Sequence, residues 1–227
     1  MGAELSSAAV GLLAIDADQL ARRYGRRWAL AGVTFQLAAG RVMMVAGRNG
    51  SGKSTLFRVL STAIRADRGA ARVGGFDLAE EKHDVRRISA LLAHQSYLYE
   101  SLTAKENLDI VARVVGQAGA PVVHALERVG LAQRADDAVA TFSAGMRKRL
   151  SFARVLLQQP DVVFFDEPYG QLDPEGFRLV DAVVQELKAR GATVLVATHQ
   201  VEHVADYADC SITLEAGRVV GTEGALV

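Results

Sequence analysis

Cysteine is nearly absent from this chain. The single Cys210 excludes an internal disulfide, and no cysteine cluster offers a metal site. Its plain reading is a small buried hydrophobe. Net charge is absent as well, since 26 basic and 26 acidic side chains balance to zero. No global basic excess argues for nucleic acid as a partner, and no acidic excess argues for a cationic one. No stretch reaches the roughly eighteen consecutive apolar residues that a membrane-spanning helix needs. Ala8 to Ile15 is apolar but brief, lacks a basic region before it and runs into Asp16 and Asp18, so it is neither a signal peptide nor a span. The opening MGAELS fits only a loose myristoylation pattern. Internal repeats, low-complexity linkers and an Asn-Lys-x-Asp guanine signal are all lacking. If the protein works at a membrane, another chain provides the span.

What is present is an ordinary globular composition, half hydrophobic over 227 residues. That suits a single domain, 1–227, with a small subdomain inside it. The strongest signal is RVMMVAGRNGSGKSTLFRVL, Arg41 to Leu60. An apolar run, Val42 to Ala46, enters Gly47, Arg48, Asn49, Gly50, Ser51, Gly52, Lys53, Ser54 and Thr55, and a helix-compatible run follows. This is G-x-x-x-x-G-K-[ST] between a strand and a helix. The glycines let the backbone turn tightly and aim successive N–H groups at an anion. The first N–H groups of the following helix have no partner within it, and its dipole adds positive potential. Lys53 reaches the outer phosphates, and the Ser54 hydroxyl can sit on Mg²⁺. The loop therefore binds a nucleoside triphosphate.

Along the chain, Asp18 to Tyr24 and Val33 to Leu37 read as strands around the RRYGRRWAL turn. Ser54 to Ala63 reads as a helix, Ala71 to Val73 as a short strand, and Arg87 to Ala93 as a strand ending at His94 and Gln95. Thr103 to Val115 is helical, with Thr103 and Glu106 spaced as a capping box. Pro121 to Gly130 and Ser143 to Gln158 are further helices, and 96–158 forms a helical subdomain. Asp161 to Phe165 and Thr193 to Thr198 are buried parallel strands. Pro174 to Arg190 and Val201 to Ala208 are helices, and Ser211 to Leu214 with Arg218 to Val220 closes the chain as a hairpin. The expected architecture is α/β: a P-loop core, an antiparallel β layer from the N-terminal part, and an inserted α-helical subdomain.

Chemistry gathers at strand ends, where open α/β sheets bind ligands. VVFFDEP delivers Asp166 and Glu167. Asp166 is suited to Mg²⁺, which takes few protein carboxylates, and Glu167 to activating a water as general base. His199 follows TVLVAT and can face a γ-phosphate or order the water. Gln95, also after a strand, can ligate Mg²⁺ through its side-chain oxygen. Tyr24 and Trp28 are rival aromatics for stacking on a base. In FSAGMRKR, Ser143 can cap a helix whose start is left open by Ala144 and Gly145, a second anion-binding helix end. Two such ends in one chain point to two copies meeting head to tail. Arg147, Lys148 and Arg149 read as a solvated helix face near phosphate.

Tyr24, GRNGSGKST, Gln95, FSAGM, VVFFDEP, GQLD ending at Asp173, and His199 occur in the order of an ABC transporter ATP-binding subunit, and the resemblance runs from about Asp18 to Val220. It implies ATP and Mg²⁺ as cofactors and Tyr24 as the aromatic that stacks on adenine. It implies Gln95 as the glutamine that senses the metal. It also implies that Ser143 and Gly145 contact the γ-phosphate across a dimer, and that Asp173 lies in the loop coupling the two sites. The signature departs from the family's LSGGQ at Ala144 and Met146, and the loop before Asp173 reads Gly170-Gln171-Leu172 where the family has Ser-Gly-Leu or Ser-Ala-Leu. AHQSYLY, LTAKENL, FSAGMRKRL and ATHQ resemble the small subunit of the haem exporter of cytochrome c maturation, and equally short subunits of ABC-2 exporters of other substrates. The implied partners are a second copy or an ABC heterodimer mate, and a membrane permease that holds the chain at the cytoplasmic face. An assembly ATPase with soluble partners is the remaining alternative.

Overall fold

A long antiparallel hairpin starts the structure, a computed structural model that describes residues 13–93, 96–116 and 122–227. Its arms are β1 (Leu13–Tyr24) and β2 (Arg27–Ala38). Both outrun the strands expected from sequence. The register shifts between Ala17 and Leu20, where Gln19 takes a φ of 49°. That bulge breaks the apolar alternation that marks a strand in sequence, although Ala14, Ile15, Ala17 and Leu20 are all buried. After β3 (Val42–Ala46) and α1 (Lys53–Leu60), β4 (Arg68–Val73) and β5 (Phe76–Asp77) complete a four-stranded layer in the order β2-β1-β4-β5.

The strand expected over Arg87 to Ala93 is present as β6 (Ser89–Leu92), but its first two residues belong to a helix not expected from sequence, α2 (Lys82–Ile88), which runs straight into it. The cause is a polar turn. The Asp77 carboxylate accepts from the Ala79 and Glu80 amides, and the Asp77 amide donates back to Glu81. Gln95 lies outside the described residues.

Three helices follow: α3 (Ala104–Val114), α4 (Val122–Arg128) and α5 (Ala144–Gln158). The expected capping box starts α3, with the Glu106 amide donating to Thr103 Oγ1 at 3.1 Å and the Thr103 amide to Glu106 Oε2 at 2.8 Å. Next come β7 (Val162–Asp166), α6 (Pro174–Ala189), β8 (Thr193–Ala197), α7 (Val201–Ala205), β9 (Cys210–Glu215) and β10 (Arg218–Gly224). The second sheet has the order β10-β9-β3-β8-β7-β6. Its strands are parallel except β10. Every residue of β7 and β8 is buried, which explains their unbroken apolar sequences.

Each face of this sheet has its own core. Leu56, Phe57 and Leu60 of α1 fill the gap toward the antiparallel layer, with Phe57 5.6 Å from the Phe164 ring. On the other face, Phe165 meets Phe152 of α5 at 5.4 Å, and Val180, Val183 and Leu187 of α6 close the layer. Alternation along β7 sends Phe164 to one core and Phe165 to the other. Burying each ring contributes on the order of 2 kcal/mol. Two cores therefore clamp the strand that carries the carboxylates. Cys210 is buried, as expected.

Candidate active site

The parallel register brings three strand ends together. Val45 pairs with Ala197, and Ala197 with Asp166. The loop after β3, the carboxylates of β7 and the histidine after β8 thus leave the sheet side by side.

The loop needs its glycines. Gly47 has a φ of 142°, and a Cβ there would lie 2.4 Å from the Leu214 carbonyl oxygen. Gly52, the N-cap of α1 at φ 115°, leaves no room beside the Ala29 carbonyl, 2.5 Å from where a Cβ would stand. A side chain at either position would push the loop off its supports. Lys53 is 6% exposed, and its Nζ donates to the carbonyl oxygens of Gly47 at 2.7 Å and Arg48 at 3.3 Å. The loop wraps its own lysine, so the ammonium is held against the carbonyls at the start of the loop.

The Ser54 hydroxyl donates to Asp166 Oδ1 at 3.0 Å. Asp166 is 4% exposed, and burial raises its pKa against the lowering effect of that hydrogen bond. A hydroxyl beside a buried carboxylate is a hard-oxygen pair. It fits Mg²⁺, which completes its shell from water and phosphate.

Glu167 adopts a left-handed φ of 49°, a costly conformation for a side chain with a Cβ. Three hydrogen bonds hold its main chain: the amide donates to Ala197 O at 2.8 Å, and the carbonyl accepts from Lys148 Nζ at 2.9 Å and from Gly170 N at 3.3 Å. Its Oε2 lies 2.9 Å from His199 Nδ1. Glu167 also lines a cleft of about 410 Å³ with Tyr24, Arg27, Asn49, Lys53 and Ser54. Ala29, Gly50, Gly52 and Thr55 complete its wall. Of the two rival aromatics, Tyr24 lies on the cleft, 47% exposed. Trp28 turns away, its ring 5.9 Å from the Arg23 guanidinium and 5.5 Å from that of Arg68.

Ser143, Gly145 and Asp173 do not reach this cleft. Ser143 is the N-cap of α5, accepting from the Met146 amide at 3.2 Å, and it is exposed. Asp173 caps α6 by accepting from Gly176 N at 2.8 Å and pairs with Arg149 at 3.1 Å. The Gly176 amide, then Arg149, hold its carboxyl below the usual range. The loop and the α5 start are thus separate ends of one subunit.

The Arg147 to Arg149 run is not the solvated face expected from sequence. Lys148 is 7% exposed, and burial brings its pKa down to about 8 against the fields of Asp166 and Glu167. The spacing held the signal: Lys148 sits four residues after Ala144 and four before Phe152, on the side of α5 that meets the sheet. Arg27 was also missed, because nothing in the local sequence separates it from its arginine neighbours.

The fold and the cleft define a P-loop nucleotide-binding ATPase with a helical insertion. The model of the ABC transporter family matches residues 30–170. A daunorubicin resistance ATP-binding protein of Streptomyces coeruleorubidus is 39% identical over 211 residues, covering 91% of this chain and 67% of that protein. A linearmycin resistance ATP-binding protein of Bacillus subtilis is 30% identical over 210 residues, covering 91% and 68%. The chain therefore spans about two thirds of the length of these relatives. A solved ATP-binding subunit of an ABC transporter superposes with a TM-score of 0.86 at 29% identity, over 92% of this chain and 89% of that one. The chain belongs to the ABC transporter family and is one of its ATP-binding, ATP-hydrolysing chains. The resemblance to haem exporters draws no support from these relatives, whose names refer to antibiotic resistance. Among the described residues, no helix is long and apolar enough to cross a membrane.

Proposed function

We propose that this chain hydrolyses MgATP as a head-to-tail dimer and drives a separate membrane permease that exports an amphiphilic antibiotic. The observation that carries the proposal is the convergence of Lys53, the Ser54–Asp166 pair and the Glu167–His199 pair at three adjacent strand ends. Tyr24 stacks on the adenine, and the loop amides and Lys53 hold the phosphates. Ser54 and Asp166 hold Mg²⁺, which when bound neutralises charge building on the phosphate oxygens. Glu167 takes the proton of a water that attacks the γ-phosphorus, and the bond to the β–γ bridging oxygen breaks. His199 holds the Glu167 carboxylate through Nδ1 and presents its other ring nitrogen to the γ-phosphate. Gln95 belongs to the same proposal as a metal-side residue. Ser143 and Gly145 act on the partner copy's γ-phosphate, and Asp173 lies at the seam between copies. The helical subdomain, 96–158, moves with the nucleotide as a unit within 1–227.

Tyr24→Ala should raise the KM for ATP on the order of tenfold with little change in kcat, because base stacking on an aromatic gives about 1–3 kcal/mol. Tyr24→Phe should keep the wild-type value. Nucleotide titration checks both.

The permease contact lies on the flank of α3. Tyr97, Tyr99 and Val114 are 61%, 59% and 80% exposed around a groove of about 200 Å³ that also holds Ile110. Leu98, by contrast, packs on the core and is not available. An apolar patch of this kind fits a helix from a membrane subunit at the cytoplasmic face. Tyr97→Ala or Glu100→Lys should leave nucleotide binding and basal hydrolysis within about twofold and abolish stimulation by the permease. Unchanged stimulation would remove this surface.

The cargo reading rests on relatives named for resistance to daunorubicin and linearmycin. Its test is drug accumulation in cells that co-express the chain and its permease. Lower daunorubicin content that Lys53→Met abolishes supports the reading. Unaltered content together with a fall in c-type cytochromes on Lys53→Met supports haem instead.

A further inference from the structure

We propose that Lys148 is a positioning residue that ties the trans-acting end of α5 to Glu167 of its own subunit, so that each site of the dimer reports on the other. The proposal rests on the dimeric reading above.

Three observations carry it. The first is a buried cation without an ion pair. Lys148 is 7% exposed, and among the described residues no carboxylate oxygen forms a salt bridge with it. Its one described hydrogen bond runs to the Glu167 carbonyl oxygen, at 2.9 Å. Burial depresses its pKa to about 8, so the site holds the ammonium at a cost. An apolar side chain of similar length would fill the same space without that cost. Packing alone therefore does not account for a lysine here.

The second is the backbone it grips. Glu167 stands at a φ of 49°, and its carbonyl accepts from Gly170 N at 3.3 Å as well as from Lys148. The turn after β7 is thus held from β8 on one side and from α5 on the other. Shifting the Lys148 ammonium shifts the Glu167 peptide and with it the carboxylate paired with His199.

The third is the helix that carries the lysine. Ser143 caps α5 and Gly145 lies in its first turn. A Cβ on Gly145 would stand 3.0 Å from the Gln171 carbonyl oxygen, so the first turn and the loop after β7 are packed at main-chain distance. Lys148 follows Ala144 by four residues, on the same face. A regular helix transmits a displacement of its first turn one turn further with little loss. When Ser143 and Gly145 close on the partner's γ-phosphate, the Lys148 ammonium moves with them, and Glu167 is set for its own water. The lysine touches neither substrate nor metal; it acts through the Glu167 peptide.

The test uses the full chain with Lys148→Met, which keeps length and loses the donor, and Lys148→Arg, which keeps charge and donor. Steady-state hydrolysis gives kcat, KM for MgATP and the Hill coefficient, and melting temperature reports folding. The expected result is a fall in kcat of about tenfold or more for Lys148→Met at unchanged KM, with the Hill coefficient dropping toward about 1. Lys148→Arg should recover most of the rate and the cooperativity. If Lys148→Met does not fold, Lys148→Leu, which also lacks a donor, is read by the same criteria. A wild-type rate and Hill coefficient in Lys148→Met overturns the proposal. So does a loss of rate that leaves cooperativity intact, or one that Arg does not recover. A wild-type Hill coefficient of about 1 removes the communication outright. Glu167→Gln separates the two levels: turnover intact in that variant sinks the base assignment. Turnover lost there but untouched in Lys148→Met sinks the coupling alone.

Discussion

Glu167→Gln binds MgATP at near wild-type affinity, dimerises on it, and turns over about 10² to 10⁴ times more slowly, the range general-base catalysis contributes. The geometry explains why loss of rate need not mean loss of site. The strained Glu167 backbone is held by main-chain bonds to Ala197 and to the Lys148 ammonium, neither of which involves the carboxylate. Glutamine has the same shape, so the left-handed turn survives. Its amide can still bond His199 Nδ1, which lies 2.9 Å from Oε2 in the native chain. What it cannot do is take a proton from water. The variant should therefore accumulate as an ATP-loaded dimer, seen as a shift to twice the mass on gel filtration with MgATP and not with MgADP. Single-turnover hydrolysis measures the chemical step directly. Normal turnover would assign the base to another group.

How much of this was legible in the sequence depends on what each feature asks of it. The phosphate loop constrains the backbone, so Gly47 and Gly52 had to appear where a Cβ would strike the Leu214 and Ala29 carbonyls. Strands β7 and β8 are buried on both faces and read as solid apolar runs. The hairpin β1–β2 was under-read because a bulge at Gln19 resets the alternation. The helix α2 has no sequence signal of its own, because seven residues give too few turns for a helical period to show before the strand β6 that follows. Tyr24 and Trp28 could not be ranked until the hairpin turned one toward the cleft and left the other between Arg23 and Arg68. Lys148 was hidden by its neighbours. A charge run looks solvated, and only its phase on α5 places the middle member inward.

The same separation that keeps Ser143 and Gly145 out of their own cleft gives the second large prediction. Gly145→Asp should abolish steady-state hydrolysis while a monomer still binds ATP. An aspartate in the first turn of α5 favours the helix dipole, which offsets the crowding of its Cβ against the Gln171 carbonyl, 3.0 Å away. Toward a γ-phosphate, however, it presents like charge where a glycine and open N–H groups stood. Glu167→Gln and Gly145→Asp are then each inactive for opposite reasons: one lacks a base, the other lacks the helix end it lends. Co-expressed in equal amounts, half of the dimers are mixed. In each of these, one composite site joins the intact Glu167 of one copy to the intact α5 end of the other, and the second site carries both lesions. If the two sites fire independently, two dead proteins should together give about a quarter of the wild-type rate, as two-fold symmetry requires. If the sites must fire together, as the Lys148 linkage implies to some degree, the recovered rate falls below that quarter while remaining above either parent. An isolated subunit that completes its own site would give no recovery at all, and Ser143 and Gly145 would lose their role across the dimer.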